Sequence, residues 1–338
     1  MAKHTASRAV MAVALASAGA FALTACGTGS GSTGTDVPDQ ITLVVPTSAG
    51  GGVDTAARQL QPYLEEELGS TIAVINREGG ATTIGTASIL QSSDCSTILI
   101  TAIPHINLSY LAHDVDYDLV SFAAVGGVST EPGVIRVAKN APWDTLRDLV
   151  NDAKARPGEI TFSVSEAVSS NSFAITQIEE ATGADFNVVP FDGGGPARLA
   201  VVSGEVDATH AGAFNSLPIA EDTKVLAVHY EKNRWGPVTD DAPTVNKALG
   251  VEVPNSESTY NIWTSTGCAK EHPERYQALV DALDAVVTSD GLKSDLKELG
   301  EALKLDPRTP EAVEADAKAA EDQIRTIMTD NPDLFKGE

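Results

Sequence analysis

The stretch Ile41-Thr-Leu-Val-Val-Pro-Thr-Ser-Ala-Gly-Gly-Gly-Val-Asp-Thr-Ala-Ala-Arg58 decides the fold. Ile41, Leu43, Val44 and Val45 are β-formers, and Pro46 ends the strand because it has no N–H to give a ladder. Gly50, Gly51 and Gly52 permit a sharp turn. Asp54 or Thr55 is then placed to cap a helix carrying Ala56, Ala57, Leu60 and Leu64. A strand, a glycine turn and a helix in that order leave amide N–H groups pointing out of a helix N-terminus. That is where a carboxylate or phosphate binds.

Working outward, the chain before this stretch reads as targeting sequence. Lys3 and Arg8 precede an apolar run from Ala9 to Leu23, too short to span a bilayer comfortably. The run ends in Leu23-Thr-Ala-Cys26, which resembles the lipobox of bacterial lipoproteins. The resemblance implies cleavage before Cys26 and a diacylglycerol on its thiol; the alternative is an ordinary secretory signal with a stray cysteine. Residues 1–25 are therefore expected to be a lipoprotein signal peptide and 26–37 a flexible tether, since Gly27 to Thr35 contains only Gly, Ser and Thr. Removing residues 1–25 takes away Lys3 and Arg8 and no acid, so a net charge of −24 becomes −26. So acidic an exported chain is not expected to bind nucleic acid. About 300 residues follow the tether, enough for two domains of ordinary size.

Further along, strand and helix patterns alternate. Ile72–Asn76, Thr97–Ala102, Ala123–Val128, Gly133–Val137, Ile160–Val164, Asn187–Pro190, Val206–His210 and Lys224–His229 read as strands. Gly85–Gln91, Pro142–Ala155, Phe173–Thr182 and Pro196–Ser203 read as helices, the last two closed by Gly183 and Gly204. The tail from His272 to Leu305 and then Pro310 to Asp330 is helical by period. The alternation predicts α/β layers with largely parallel sheets.

Catalytic signatures are missing from the sequence. There is no Gly-x-Ser-x-Gly elbow, no His-Glu-x-x-His and no Walker A lysine, and no Cys/His spacing suits zinc. No metal, no cofactor and no enzymatic activity are expected. Cys95 and Cys268, the two cysteines beyond Cys26, either pair or stay free thiols.

Six ordered segments carry a resemblance to a known family. They are Val44–Asp54 with Arg58; Leu68-Gly with Val74-Ile-Asn-Arg-Glu-Gly-Gly80 and Gly85; Ser93-Asp-Cys-Ser-Thr97; Asp148-Leu149 through Ile160-Thr-Phe-Ser163; Val189-Pro-Phe-Asp-Gly-Gly-Gly-Pro-Ala197 with Val202–Asp207; and Trp263 with Thr266-Gly267. The chain resembles the extracytoplasmic solute receptors of tripartite tricarboxylate transporters, the Bug proteins, from about Ile41 to about Leu305. It departs from the pattern at Glu78, at Cys95, and in the glycine-free run Ser165–Ser172. The resemblance implies a type II periplasmic-binding-protein-like α/β fold in which two α/β domains flank a ligand cleft. Residues 38–130 plus 258–338 would form domain one and residues 131–257 domain two. Cys95 and Cys268 then share domain one, which favours a disulfide.

What binds, on this resemblance, is a small carboxylate: a di- or tricarboxylate, an aromatic acid or an amino acid. Thr47, Ser48, Ala49, Gly50, Gly51, Gly52 and Asp54 would form one jaw, with Asp54 holding the helix or loop more than the ligand. Ser165, Ser169, Ser170 and Asn171 would form the second. Asp192, Gly193 and Gly194 open a third loop, and Phe214 and Asn215 are candidate selectors of the distal group; core packing is the alternative for Phe214. His105 and Asn107 are further candidates for the cleft. Glu166 either faces solvent or recognises a cationic group, so a zwitterionic ligand stays open. The partners implied are membrane permease subunits of a secondary transporter, with the chain a monomer held on the outer face of the cell membrane by lipid on Cys26. The competing readings are the binding lipoprotein of an ABC importer and, more remotely, a secreted hydrolase.

Overall fold

A computed structural model describes residues 37–330 apart from 166, 168 and 192. Cys26, the signal peptide, residues 26–36 of the tether, Glu166 and Asp192 lie outside the described residues. In chain order the elements begin β1 (Gln40–Val45), α1 (Gly52–Leu68), β2 (Thr71–Asn76), α2 (Thr83–Ser88), β3 (Thr97–Ile103) and α3 (His105–Leu111). They continue with β4 (Phe122–Ala138), α4 (Leu146–Ala155), β5 (Thr161–Val164), α5 (Ser170–Thr182), β6 (Asn187–Pro190), α6 (Gly194–Ser203), β7 (Ala208–Gly212), β8 (Thr223–His229) and α7 (Val245–Leu249). The last are β9 (Glu257–Ser265), α8 (Thr266–Glu271), α9 (Pro273–Thr288), α10 (Asp290–Glu298), β10 (Leu305–Arg308) and α11 (Pro310–Asp330).

The sheet runs β2-β1-β3-β9-β4-β7-β5-β6, with β10 and β8 also pairing β4. It is not largely parallel, as the alternation predicts. β1 pairs β2 and β3 in parallel, and β5 pairs β6 and β7 in parallel, but every pairing of β4 and the β3–β9 pairing are antiparallel. The cause is β4. The sequence pattern breaks it in two at Ser129–Pro132, whereas the chain runs through as one 17-residue strand. Its first part, Phe122 to Pro132, pairs β9; from Gly133 onward it pairs β7 and β8. Pro132 is tolerated where the strand changes partners, since it gives no donor to either ladder.

Hydrophobic packing follows this division. Leu60, Leu64, Leu279, Leu283 and Val286 from α1 and α9 cover one face of the β1–β3–β9 sheet, and Cys95 and Cys268 are buried in the same cluster. Val313 and Ala317 of α11 pack with Val44, Leu99 and Trp263 on its other face. A separate cluster gathers Ile135, Leu149, Phe162, Ile175 and Ala227 from the strands and helices between β4 and β8. Cys95 and Cys268, 173 residues apart, form a disulfide that ties the β3 approach to α8. Among the described residues, no helix is long and apolar enough to cross a membrane.

Candidate functional site

Most of the glycine- and serine-rich loops singled out in the sequence meet around one cavity of about 300 Å³. Three helix N-termini open onto it: α1 through Thr47–Val53, α5 through Ser170 and Asn171, and α6 through Gly193–Arg198. Amides in the first turn of each helix have no carbonyl within the helix to receive them. Their positive ends therefore converge on the same space.

The first loop is held from behind. Helix α1 starts at Gly52 with Gly51 as its N-cap, so neither Asp54 nor Thr55 caps it. Asp54 sits in the first turn, buried, and does not line the cavity. Its carboxylate accepts from the Gly50 amide at 2.8 Å, Arg58 Nε at 3.1 Å and Asn76 Nδ2 at 3.0 Å, and Asn76 also donates to Thr47 O at 3.0 Å. Burial alone raises the Asp54 pKa, but Arg58, the Gly50 amide and Asn76 more than offset this and hold it below the ordinary value. Asp54 thus fixes the loop rather than facing the cavity. In front, Gly52 lies against the opposite wall: a Cβ there would stand 2.7 Å from Asn215 Oδ1 and collide with the Tyr260 hydroxyl.

Three further expectations fall away from the cavity. Ser169 is the N-cap of α5; it is buried, and its Oγ accepts from the Ser172 amide at 3.2 Å while the Ser172 Oγ accepts in return from the Ser169 amide. Its hydroxyl is committed to the helix. Phe214 is buried in the core beside Ala213, Val225 and Trp235, so its side chain packs and its neighbour Asn215 does the facing. Asn107 is buried too, donating to Tyr110 and to Ala317 O. Thr47 to Gly52, Ser165, Ser170, Asn171, Gly193, Gly194, Asn215 and His105 do line the cavity.

Sequence reasoning missed the charged part of the wall. Glu131, Arg198, His210, Ser256, Glu257 and Tyr260 all line it. Glu131 is 4% exposed, and its Oε1 accepts from the Phe214 amide at 2.7 Å and the Asn215 amide at 3.1 Å. Burial pushes its carboxyl up to about 7, against the pull of those amides and of Lys304. Arg198 makes no ion pair and no hydrogen bond among the described residues, and its guanidinium lies beside Gly194. Burial pulls its pKa down, but an arginine stays charged. His210 reaches Asn171 Oδ1 at 3.2 Å and His229 Nδ1 at 3.3 Å. Burial drives His210 well below its ordinary value and His229 to about 4, so this pair is neutral at neutral pH. Two signals were present in the sequence: one acid inside the apolar run 122–138, and a cation near the predicted N-terminus of α6, where the helix dipole disfavours it. Tyr260 gave none, because β9 does not stand out as a strand.

Comparison with known proteins bears on this geometry directly. The model of the tripartite tricarboxylate transporter family receptor matches residues 56–316. The chain belongs to this family. Protein BugT of Bordetella pertussis is 33% identical over 176 residues, 50% of this chain and 53% of its own length. Among solved structures, Rpa4515 of R. palustris, solved with adipate, is 26% identical, covers 86% of this chain and 96% of its own, and superposes with a TM-score of 0.73. MatC from Rhodopseudomonas palustris, with bound malate, is 21% identical over 84% of this chain and 98% of its own, with a TM-score of 0.67. The fold is accordingly that of the periplasmic binding proteins of this type. The chain is an extracytoplasmic solute receptor, which sets aside both the ABC-importer and the hydrolase readings as descriptions of its family.

Proposed function

We propose that the cleft binds a small organic acid, closes on it without chemistry, and presents it to the membrane subunits of a tripartite-type secondary transporter. The observation that carries this is the convergence of α1, α5 and α6 N-termini on one cavity, together with Arg198, which makes no ion pair among the described residues. Each exposed helix N-terminus contributes about 0.3–1 kcal/mol to a nearby anion, and a charged hydrogen bond about 1.5–3 kcal/mol. A few of these together reach the roughly 8 kcal/mol of a micromolar site.

In this reading Ser48 to Gly52, Ser170, Asn171, Gly193, Gly194 and Asn215 contact the ligand, and Asp192 belongs to the same loop. Residues 38–130 with 258–338 form one domain and 131–257 the other. The switch of β4 between partners at Pro132–Gly133, and the return before Glu257, would be the hinge. Lipid on Cys26 holds the monomeric receptor on the outer face of the membrane. The test is a titration of the purified protein with adipate, malate, citrate, benzoate and glutamate, followed by tryptophan fluorescence and melting temperature. At least one is expected to bind in the micromolar range; none moving either signal at millimolar concentration would overturn the receptor reading.

A further inference from the structure

Among the described residues three charge-bearing side chains line the cleft with no ion pair, the cation Arg198 and the acids Glu131 and Glu257, and Glu257 Oε2 is buried without a hydrogen bond. Glu131 Oε1 takes two amides, while its Oε2 has no hydrogen bond among the described residues. Arg198 and Glu131 form no ion pair among the described residues, although the Arg198 guanidinium feels the field of Glu131. The packing allows Glu131 little freedom, since a Cβ on Gly212 would lie 2.7 Å from its carboxyl carbon. The charged and titratable groups facing it are Arg198 from α6, Tyr260 from β9, and Lys304 and Glu301 from the segment before β10. Lys304 is committed elsewhere, to Glu301 and to Gln59 Oε1 at 3.2 Å. Asn215 Nδ2 donates to the Tyr260 hydroxyl at 3.2 Å, so beyond the Phe214 and Asn215 amides Glu131 receives no hydrogen bond among the described residues.

A buried carboxylate without a counter-charge is costly, and so is a guanidinium drawn out of water. A second carboxylate on the ligand relieves only Arg198 and keeps Glu131 protonated. A ligand bearing an ammonium group as well as a carboxylate relieves both. We infer that the cleft selects small amino acids over the corresponding plain acids, with Glu131 holding the ammonium and Arg198 with the helix N-termini holding the carboxylate. This deepens the receptor reading and rests on it. The unliganded carboxyl, pushed up to about 7, is mostly protonated at pH 6. An ammonium arriving beside it favours the ionised form, so binding expels a proton. A plain acid leaves the proton in place.

The experiment is calorimetric titration of the protein with matched pairs: glutamate and glutarate, aspartate and succinate, leucine and 4-methylpentanoate. Each pair is run at pH 6 in two buffers of different ionisation enthalpy. At least one amino acid is expected to bind 100-fold or more tightly than its partner, with release of close to one proton. Glu131→Gln still accepts the two amides, and it is expected to erase both the preference and the proton release. Arg198→Met should weaken both members of a pair alike, which provides a second readout if Glu131→Gln folds poorly by circular dichroism. Equal affinity within every pair, tighter binding of the plain acids, or an unchanged preference in Glu131→Gln would overturn the inference and leave the receptor reading standing. Binding of no acid of either kind would remove both.

Discussion

The two glycine loops look alike in sequence and differ in what their glycines do. Both turn on a positive-φ glycine with open space around it, Gly50 at +79° and Gly193 at +97°, but Gly50-Gly-Gly52 adds a constraint of space: Gly52 lies against Asn215 and Tyr260 across the cavity, with no room for one more carbon. In Gly193-Gly-Gly195 no such wall stands opposite: Gly195 meets nothing within 4 Å, and a Cβ on Gly194 would meet the flexible end of Arg198. The first loop is also braced by the side chains of Asp54, Arg58 and Asn76, whereas among the described residues the second is tied back by backbone alone, with the Gly193 amide donating to Ser165 O and Phe191 O at 2.9 Å. A shared motif therefore marks where amides are displayed. It does not say whether the display is rigid or adjustable.

The sharpest way to break that comparison is Gly52→Val. Its side chain must displace Asn215 or Tyr260, at an overpacking cost of about 1–3 kcal/mol. Ligand affinity measured by titration should fall on the order of 100-fold. Affinity within threefold of the parent would show that Gly52 is not at the contact.

Next in size is Asp54→Ala, which removes the brace without entering the cavity. Losing a buried carboxylate with three donors should lower stability by about 1–3 kcal/mol in denaturant unfolding. The pH dependence has a definite sign. The Asp54 carboxyl is held below its ordinary value of 3.8, so the folded state binds fewer protons than the unfolded one. Its contribution is present above that value and drains away as pH falls through the folded pKa. Parent and Asp54→Asn should therefore converge in stability under strongly acidic conditions and diverge toward neutrality. Parallel curves would place the brace elsewhere.

The same contrast explains what was legible beforehand. Strand β1, the turn and α1 follow from local chemistry: β-formers, a proline, three glycines and an amphipathic helix. So do α6 and its closing Gly204, which takes the left-handed angle of a C-cap. Strand β4 was read as two because Glu131 and Pro132 interrupt its apolar pattern, and only the change of pairing partner makes them fit. Parallel pairing was over-read because β9 returns from a distant part of the chain to lie between β3 and β4, a placement that local periodicity does not encode. Ser169 and Phe214 were credited with facing the cavity because a hydroxyl in a capping box and a phenyl in a core carry the same letters as a ligand contact. Glu131 and Arg198 are not legible because their importance lies in lacking, among the described residues, a charged partner, and partners are a property of the fold.

The smallest expected effects come from the second loop, and there the comparison is most exposed. Gly193→Ala forces a residue with a Cβ into a positive-φ extended conformation that only glycine readily adopts, costing about 1–3 kcal/mol. With no atom within 4 Å to collide with, the loop yields by shifting, so affinity should drop about tenfold while melting temperature changes little. Gly195→Ala has neither a positive φ nor a neighbour, and it should change affinity by less than about twofold. If Gly195→Ala instead matches Gly193→Ala, the loop is as tightly fitted around its ligand as Gly52 is against Tyr260. The two loops would then differ only in when they meet a wall: the first before the ligand arrives, the second after.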